Sequence, residues 1–313
     1  MAASWGARPH DSHLRKGTMT ALTGTDTPAA KSRHPWLGGT VRFFRTKPLG
    51  AAGLVVVLVF VFLGATAEWV APQDPLQINF GDMLAPPSAK FWMGTDNFGR
   101  DILSRIIYGA RTAMLVGFIS AFVGATLGLF IGVASAYFGG RWDMFIQRVL
   151  DIFMSFPLII LALAIVSVLG SGTENVILAI TIIMVPRCAR VIRSSAISLR
   201  EVPYVDAARA LGFSHARIIF RHMMPNVVAP YLIMLTAFMG QAILLEASLS
   251  FLGLGVQEPT AAWGLMLQGG AELYAETAPW LPIFPGLAIT VSVFAFNLFG
   301  DSLRDVLDPK LRV

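Results

Sequence analysis

Glu201-Val-Pro-Tyr-Val-Asp206-Ala207-Ala208-Arg209-Ala210-Leu211-Gly212, followed by Phe213-Ser214-His215 and, ten residues on, Met224-Pro225-Asn226, is the stretch on which the reading of this chain turns. Pro203 is placed to open a helix, because its missing N–H and fixed φ suit a first turn. Gly212 is placed to end that helix, taking the left-handed conformation other residues avoid. Ser214 can cap a second helix, and Pro225 is expected to stop it. The result is two short helices on a glycine hinge. Ala207, Ala208 and Leu211 on the first, with Ile218, Ile219 and Phe220 on the second, give apolar surface to a loop without a core of its own. Helices presented in this way suit docking in a partner's groove.

The loop lies between long apolar segments. Hydrophobic residues make up 55% of the 313-residue chain and charged residues only 14%, against about 25% in an ordinary soluble domain. With a mean hydropathy of +0.65, this excludes both a soluble enzyme and a disordered chain. A transmembrane helix needs about 20 apolar residues, and the candidate spans are 49–70, 112–138, 144–169, 175–195, 227–250 and 281–300. The fourth is the weakest, because Pro186 and Arg187 follow its short apolar run; of a re-entrant segment and a helix shielded inside the bundle, with Arg187 and Arg190 at its cytoplasmic end, the helix is the favoured reading. The fold class is an all-α membrane protein of six transmembrane helices.

Charge sets the orientation. Twenty of the 24 basic residues fall in the N-terminal tail, the turn near 139–148, the 186–226 segment and the C-terminus. The other four (Lys90, Arg100, Arg105 and Arg111) share the first outer loop with Asp74, Asp82, Asp96 and Asp101. This is the positive-inside distribution, with both termini cytoplasmic. The excess of basic residues therefore reports topology and not a nucleic-acid partner. Residues 1–35 lack apolar periodicity and read as a disordered cytoplasmic tail, without the apolar core of a secretory signal. Residues 36–48, mixing Trp36, Phe43 and Phe44 with Arg42, Arg45 and Lys47, read as an interfacial helix before the 49–313 transmembrane domain.

Several chemistries are missing. There is no G-x-x-x-x-G-K-[ST] phosphate loop, no H-E-x-x-H and no G-x-S-x-G. The single cysteine, Cys188, excludes an intrachain disulfide and a Cys-based zinc site. A secondary transporter would want ionisable groups inside several spans, and here Glu246 is the main one away from span ends. Glu246, with Gln241 five residues before it, has two readings. It either faces a translocation path, meeting a substrate's ammonium group, or acts as a hydrogen-bonded partner at the outer mouth holding the 249–255 segment. Arg148 and Asp151, three apart on one helix face, read as an internal ion pair. Gly124, Gly128 and Gly132, one every four residues, read as a surface for close helix packing.

The loop resembles the EAA loop of ATP-binding cassette importer permeases: Glu-Ala-Ala, three residues, Gly, nine residues, Ile-x-Leu-Pro. Asp206-Ala207-Ala208, Gly212 and Pro225 match at that spacing; Asp206 stands for Glu, His222 for Ile and Met224 for Leu. Further segments resemble the second permease of dipeptide, oligopeptide and nickel importers. These are Gly94-Thr95-Asp96, Gly99-Arg100-Asp101, Ser104-Arg105 and Gly109-Ala110-Arg111, then Leu249-Ser250-Phe251-Leu252-Gly253-Leu254-Gly255 with Trp263-Gly264. Gly300-Asp301, Leu303-Arg304-Asp305 and Leu307-Asp308-Pro309 complete the set. The resemblance covers about residues 36–313.

It implies a type I importer permease fold in a bacterial cell membrane, with no catalytic activity and no cofactor in this chain. The implied partners are a homologous permease, two cytoplasmic ATP-binding subunits that hold ATP and Mg, and an extracytoplasmic binding protein. The implied substrate is a di- or oligopeptide, with glutathione or a nickel chelate as alternatives. Asp206, Ala207, Ala208, Gly212 and Pro225 would dock the ATPases, and Glu246 and Gln241 are the candidate pathway residues.

Overall fold

The structure, a computed structural model, describes residues 43–307. The 1–35 tail, residues 36–42 of the expected interfacial helix and Asp308-Pro309 lie outside the described residues; residues 43–46 are helical. The elements relevant here are α1 (Pro48–Ala65), α2 (Ala67–Val70), α3 (Ile102–Phe138), α4 (Gly140–Met154), α5 (Leu158–Leu169) and α6 (Thr173–Arg200). They are followed by α7 (Pro203–Ala210), α8 (His215–Ile218), α9 (Val228–Phe251), α10 (Trp263–Leu273) and α11 (Trp280–Leu307). Among the described residues five helices are long and apolar enough to cross a membrane, and the pair α4 and α5, taken as one broken span, makes up to six.

That pair departs from expectation. The 144–169 segment is not one helix but two, bent by 90°. Pro157 lacks an N–H and pushes Phe156 out of the helical region. Ser155 closes α4 instead, its N–H donating to Asp151 O at 3.0 Å and its hydroxyl to Ile152 O at 2.7 Å. α5 then restarts with Leu161 N–H on Pro157 O. At 1.5 Å per residue, its 12 residues reach only about 18 Å, short of a bilayer core.

The helix expected over 112–138 begins ten residues earlier, at Ile102. The cause is local: Asp101 caps it, its Oδ2 accepting from Ser104 N–H at 2.8 Å and Ser104 Oγ at 2.6 Å. The segment before it is a built turn. Asp96 Oδ1 accepts from the N–H groups of Phe98 and Arg100 at 2.8 and 2.9 Å, and Thr95 Oγ1 donates to Asp82 O while accepting from Ala85 N–H.

α3 is the central strut, and its glycines decide its neighbours. A Cβ at Gly128 would stand 2.5 Å from Cys188 Cβ and 3.0 Å from Val185 O. One at Gly132 would stand 2.5 Å from Ala189 O, and one at Gly124 3.0 Å from Met184 Cβ. The four-residue repeat is therefore the seam on which α6 lies, as packing without side chains allows. Gly117 faces Ile243 of α9 instead. α6 runs through Pro186 without breaking and is well buried. Gly50 and Gly53 seat α1 against Ser302 and Ala295 of α11, where Lys47 and Asp305 pair at 2.6 Å.

Candidate functional site

α7 carries the candidate docking residues 206–208 and is held from beneath. Val205 and Ala208 are buried in the same apolar cluster as Ile192 and Ala196 of α6, whereas Asp206, Ala207 and Leu211 are exposed. So the alanine pair splits, Ala208 anchoring the helix and Ala207 facing out. The helix ends in a Schellman motif, with Gly212 N–H on Arg209 O at 2.9 Å and Phe213 N–H on Ala208 O at 3.1 Å. Gly212 takes φ +72° with open space where a Cβ would go. Asp206 pairs with Arg209 at 3.1 Å on the exposed face.

The second half of the loop departs from expectation. Ser214 does cap α8, its side chain accepting from Arg217 N–H. Pro225, however, does not stop the helix, and 215–251 runs as one continuous span. A π-helical turn over Ile219–Met223 ends with Met224 N–H on Ile219 O, and a 3₁₀ turn over Met224–Val227 takes Pro225 in its first turn. The widened turn carries the chain past a residue that has no N–H to give. Ile218, Met223 and Val227 are buried, and Phe220 is exposed. The two halves are tied through Tyr204, whose hydroxyl donates to His222 O at 3.1 Å and accepts from Asn226 Nδ2 at 3.2 Å. Tyr137, one residue from the end of α3, has its hydroxyl 2.7 Å from His215 Nδ1.

Glu246 is buried in α9. Its Oε1 accepts from Ser250 Oγ at 2.7 Å, and Ser250 Oγ accepts from Val256 N–H at 3.1 Å. The carboxylate thus reaches the turn after the helix through one hydroxyl. Gln241 is half-buried and, five residues away, lies on a different face; the structure does not bring the two together. Asp151 pairs at close range with Arg190 of α6, while Arg148 stays 3.8 Å away, so the closer pair joins two helices.

At the other end of the bundle a cluster forms that sequence spacing did not suggest. Arg100 Nε donates to Asp96 Oδ2 at 2.6 Å, and its Nη1 and Nη2 reach Glu258 at 2.9 and 3.2 Å. Arg105 Nη2 donates to Glu258 Oε1 at 3.3 Å. Burial raises the Glu258 carboxyl's pKa, but the hydrogen bond and charge of Arg100, with Arg105, outweigh it and hold the group below its ordinary value. Glu258 and Arg100 are 158 residues apart, and the only hint in the sequence was an outer loop unusually rich in arginine. Trp263 locks the neighbourhood, its Nε1 donating to Ile106 O at 3.0 Å with its ring over Gly109.

Known proteins agree with this architecture. Residues 124–313 match the family described as binding-protein-dependent transport system inner membrane component, and residues 35–87 match the N-terminal transmembrane domain of oligopeptide transport permease C. A putative peptide transport system permease of Brucella suis is 46% identical over 83% of this chain and 88% of its own. A glutathione transport system permease of Escherichia coli is 43% identical over 90% of this chain and 92% of its own. In fold, the chain is similar to one of the MetNI methionine ABC transporter in its inward-facing conformations, with TM-score 0.53 and 18% identity over 65% of this chain and 96% of that one. The chain belongs to the family of inner-membrane permeases of binding-protein-dependent transport systems. It is a multi-pass membrane transport subunit with the type I ABC importer permease fold.

Proposed function

We propose that this chain is one of two permease subunits of an ATP-driven importer of short peptides, and that 201–226 is where the cytoplasmic ATPases dock. The observation carrying the reading is the seating of α7: Val205 and Ala208 fix it to the bundle while Asp206 and Ala207 face outward. A helix anchored on one side and presented on the other transmits a push from a partner into the spans. Gly212 and the bond from Tyr137 to His215 make the loop one unit with the cytoplasmic ends of α3 and α9.

The division of labour follows. ATP and Mg bind to the partner ATPases, whose closing moves the loop and switches the spans between inward and outward access. An extracytoplasmic binding protein delivers the substrate, and a homologous permease supplies the other half of the pathway. In this reading Pro225 and Gly212 shape the docking surface and Asp206 and Ala207 touch the ATPase. Glu246, bonded to Ser250, holds the outer end of α9 beside the pathway, with Gln241 nearer its lining. A peptide substrate is favoured by the 46% identity to a peptide permease. Glutathione, itself a tripeptide, is favoured by the 43% relative and stays within the same chemical class.

The test is co-purification of the tagged subunit with its ATPases, followed by uptake in proteoliposomes. Asp206→Lys, or Gly212→Pro, is expected to lose ATPase association and uptake while the subunit still inserts. Full association and uptake in both variants would overturn the docking assignment.

A further inference from the structure

The outer cluster is unevenly satisfied. Arg100 uses all three of its side-chain nitrogens at 2.6–3.2 Å. Arg105, only 1% exposed, has its Nε 3.8 Å from Asp96 Oδ2 and a single bond, at 3.3 Å, from Nη2 to Glu258. Its Nη1 is buried and has no hydrogen-bond partner among the described residues. A buried guanidinium with unmet donors is costly, which makes it a poor choice for mere structural support.

Arg105 also lines a cavity of about 270 Å³, together with Arg100, Glu258, Phe98, Gln268 and Gly269. The carboxylate that completes the cluster is its most exposed member: the Glu258 side chain is 45% accessible, against 2% for Arg105 and 8% for Arg100. It sits on the loop between α9 and α10, while Asp96 is held by two backbone N–H groups. The charges balance only with Glu258 in place. If it swings out, two guanidiniums face the cavity over one fixed aspartate, leaving one positive charge and a set of fork-shaped donors that match a carboxylate.

From this we infer that Arg100 and Arg105 form a carboxylate-binding subsite at the outer mouth, with Glu258 as its built-in occupant. An incoming carboxylate displaces Glu258 and takes its hydrogen bonds. The cavity is near the lower end of small-ligand pockets, which fits the C-terminal residue of a short peptide and not a folded partner. The ligand class rests on the peptide-import reading above; the carboxylate chemistry does not.

The experiment uses the full chain in lipid nanodiscs with radiolabelled dialanine and with labelled acetate, in parallel with dialanine uptake by the assembled importer. Saturable dialanine binding is expected, displaced by acetate and many-fold less well by dialaninamide, which lacks the carboxylate. Arg105→Gln should abolish it. Glu258→Gln, a change on an accessible loop side chain, should tighten it several-fold by removing the competitor. Equal displacement by the amide, wild-type binding in Arg105→Gln, or weaker binding in Glu258→Gln would each overturn the subsite. Dialanine uptake by the importer without any binding to the nanodisc chain would overturn the subsite and leave the import reading standing. Acetate binding that depends on Arg105, with no peptide bound or transported, would keep the subsite and remove the peptide as its source.

Discussion

The Tyr137 hydroxyl lies 2.7 Å from Nδ1 of His215, joining the last turn of the central strut to the first residue of the second loop helix. The same ring lies 5.2 Å from the Arg209 guanidinium of the first loop helix. One side chain therefore touches both halves of the proposed docking unit, and it is anchored in the span that packs against α6 and α9. Tyr137→Phe keeps the ring and removes the bond. The expected cost is about 1 kcal/mol of stability, with ATPase association retained. Uptake per ATP hydrolysed should fall several-fold, measured by parallel transport and phosphate-release assays; an unchanged ratio would remove Tyr137 from the coupling route.

Asp206 offers a way to separate the proposed docking from folding. Its pair with Arg209 is on the exposed face, with the aspartate side chain 67% accessible, and such pairs add little to stability. Asp206→Asn should leave the melting temperature of the isolated subunit unchanged. The same variant should weaken recovery of the ATPases in a pull-down, because in the proposed docking the exposed carboxylate is a group that the partner meets. A melting temperature that drops together with association would assign Asp206 to the loop's own structure.

The seam between α3 and α6 gives a steric prediction. At Gly128 a side chain would meet Cys188 Cβ at 2.5 Å and two backbone atoms at 3.0 Å, and backbone cannot step aside cheaply. Gly128→Leu should cost about 1–3 kcal/mol or more and lower the yield of folded subunit in detergent. Gly286, in the interior of α11, has only Leu267 Cδ2 at 3.8 Å. Gly286→Ala should be neutral or stabilising by up to about 1 kcal/mol. Equal melting temperatures for the two variants would contradict the close approach.

The seam and the loop turns were legible because they depend on local residue types: a glycine every four positions, Pro203 opening, Gly212 closing and Ser214 capping. Two features were not, for the same physical reason. Proline was read as an interruption in one place and overlooked in another. Pro157 bends the third span by 90°, although the surrounding hydropathy is continuous. Pro225 interrupts nothing, because a π turn at Ile219–Met223 absorbs its missing donor. Hydropathy records which segments leave water and is silent on where each backbone N–H finds its partner. The outer cluster was hidden differently. Counting charge in the first outer loop balanced Arg100 and Arg105 against four nearby aspartates. In the structure only Asp96 of those four meets them, and the carboxylate that hydrogen-bonds to both is Glu258, on a loop more than 150 residues away, which tertiary packing brings there.

That pairing makes the outer face sensitive to acid. Arg100 and Arg105 hold the Glu258 carboxyl below its ordinary 4.5 in the folded chain, while in the unfolded chain it returns to that value. The folded state therefore binds this proton less readily than the unfolded state, so stability rises with pH across the interval between the two values. The contribution is complete above about 4.5 and is lost as pH falls below it toward the folded value. Glu258→Gln removes the titrating group and with it this part of the slope. Melting temperatures of the two proteins in nanodiscs, taken from pH 7 down to pH 3, should differ at neutral pH, with wild type the more stable, and converge as the carboxyl protonates. Curves that stay parallel through that range would mean that Glu258 carries no folded-state charge on the two arginines, and the resident-carboxylate picture of the outer mouth would go with it.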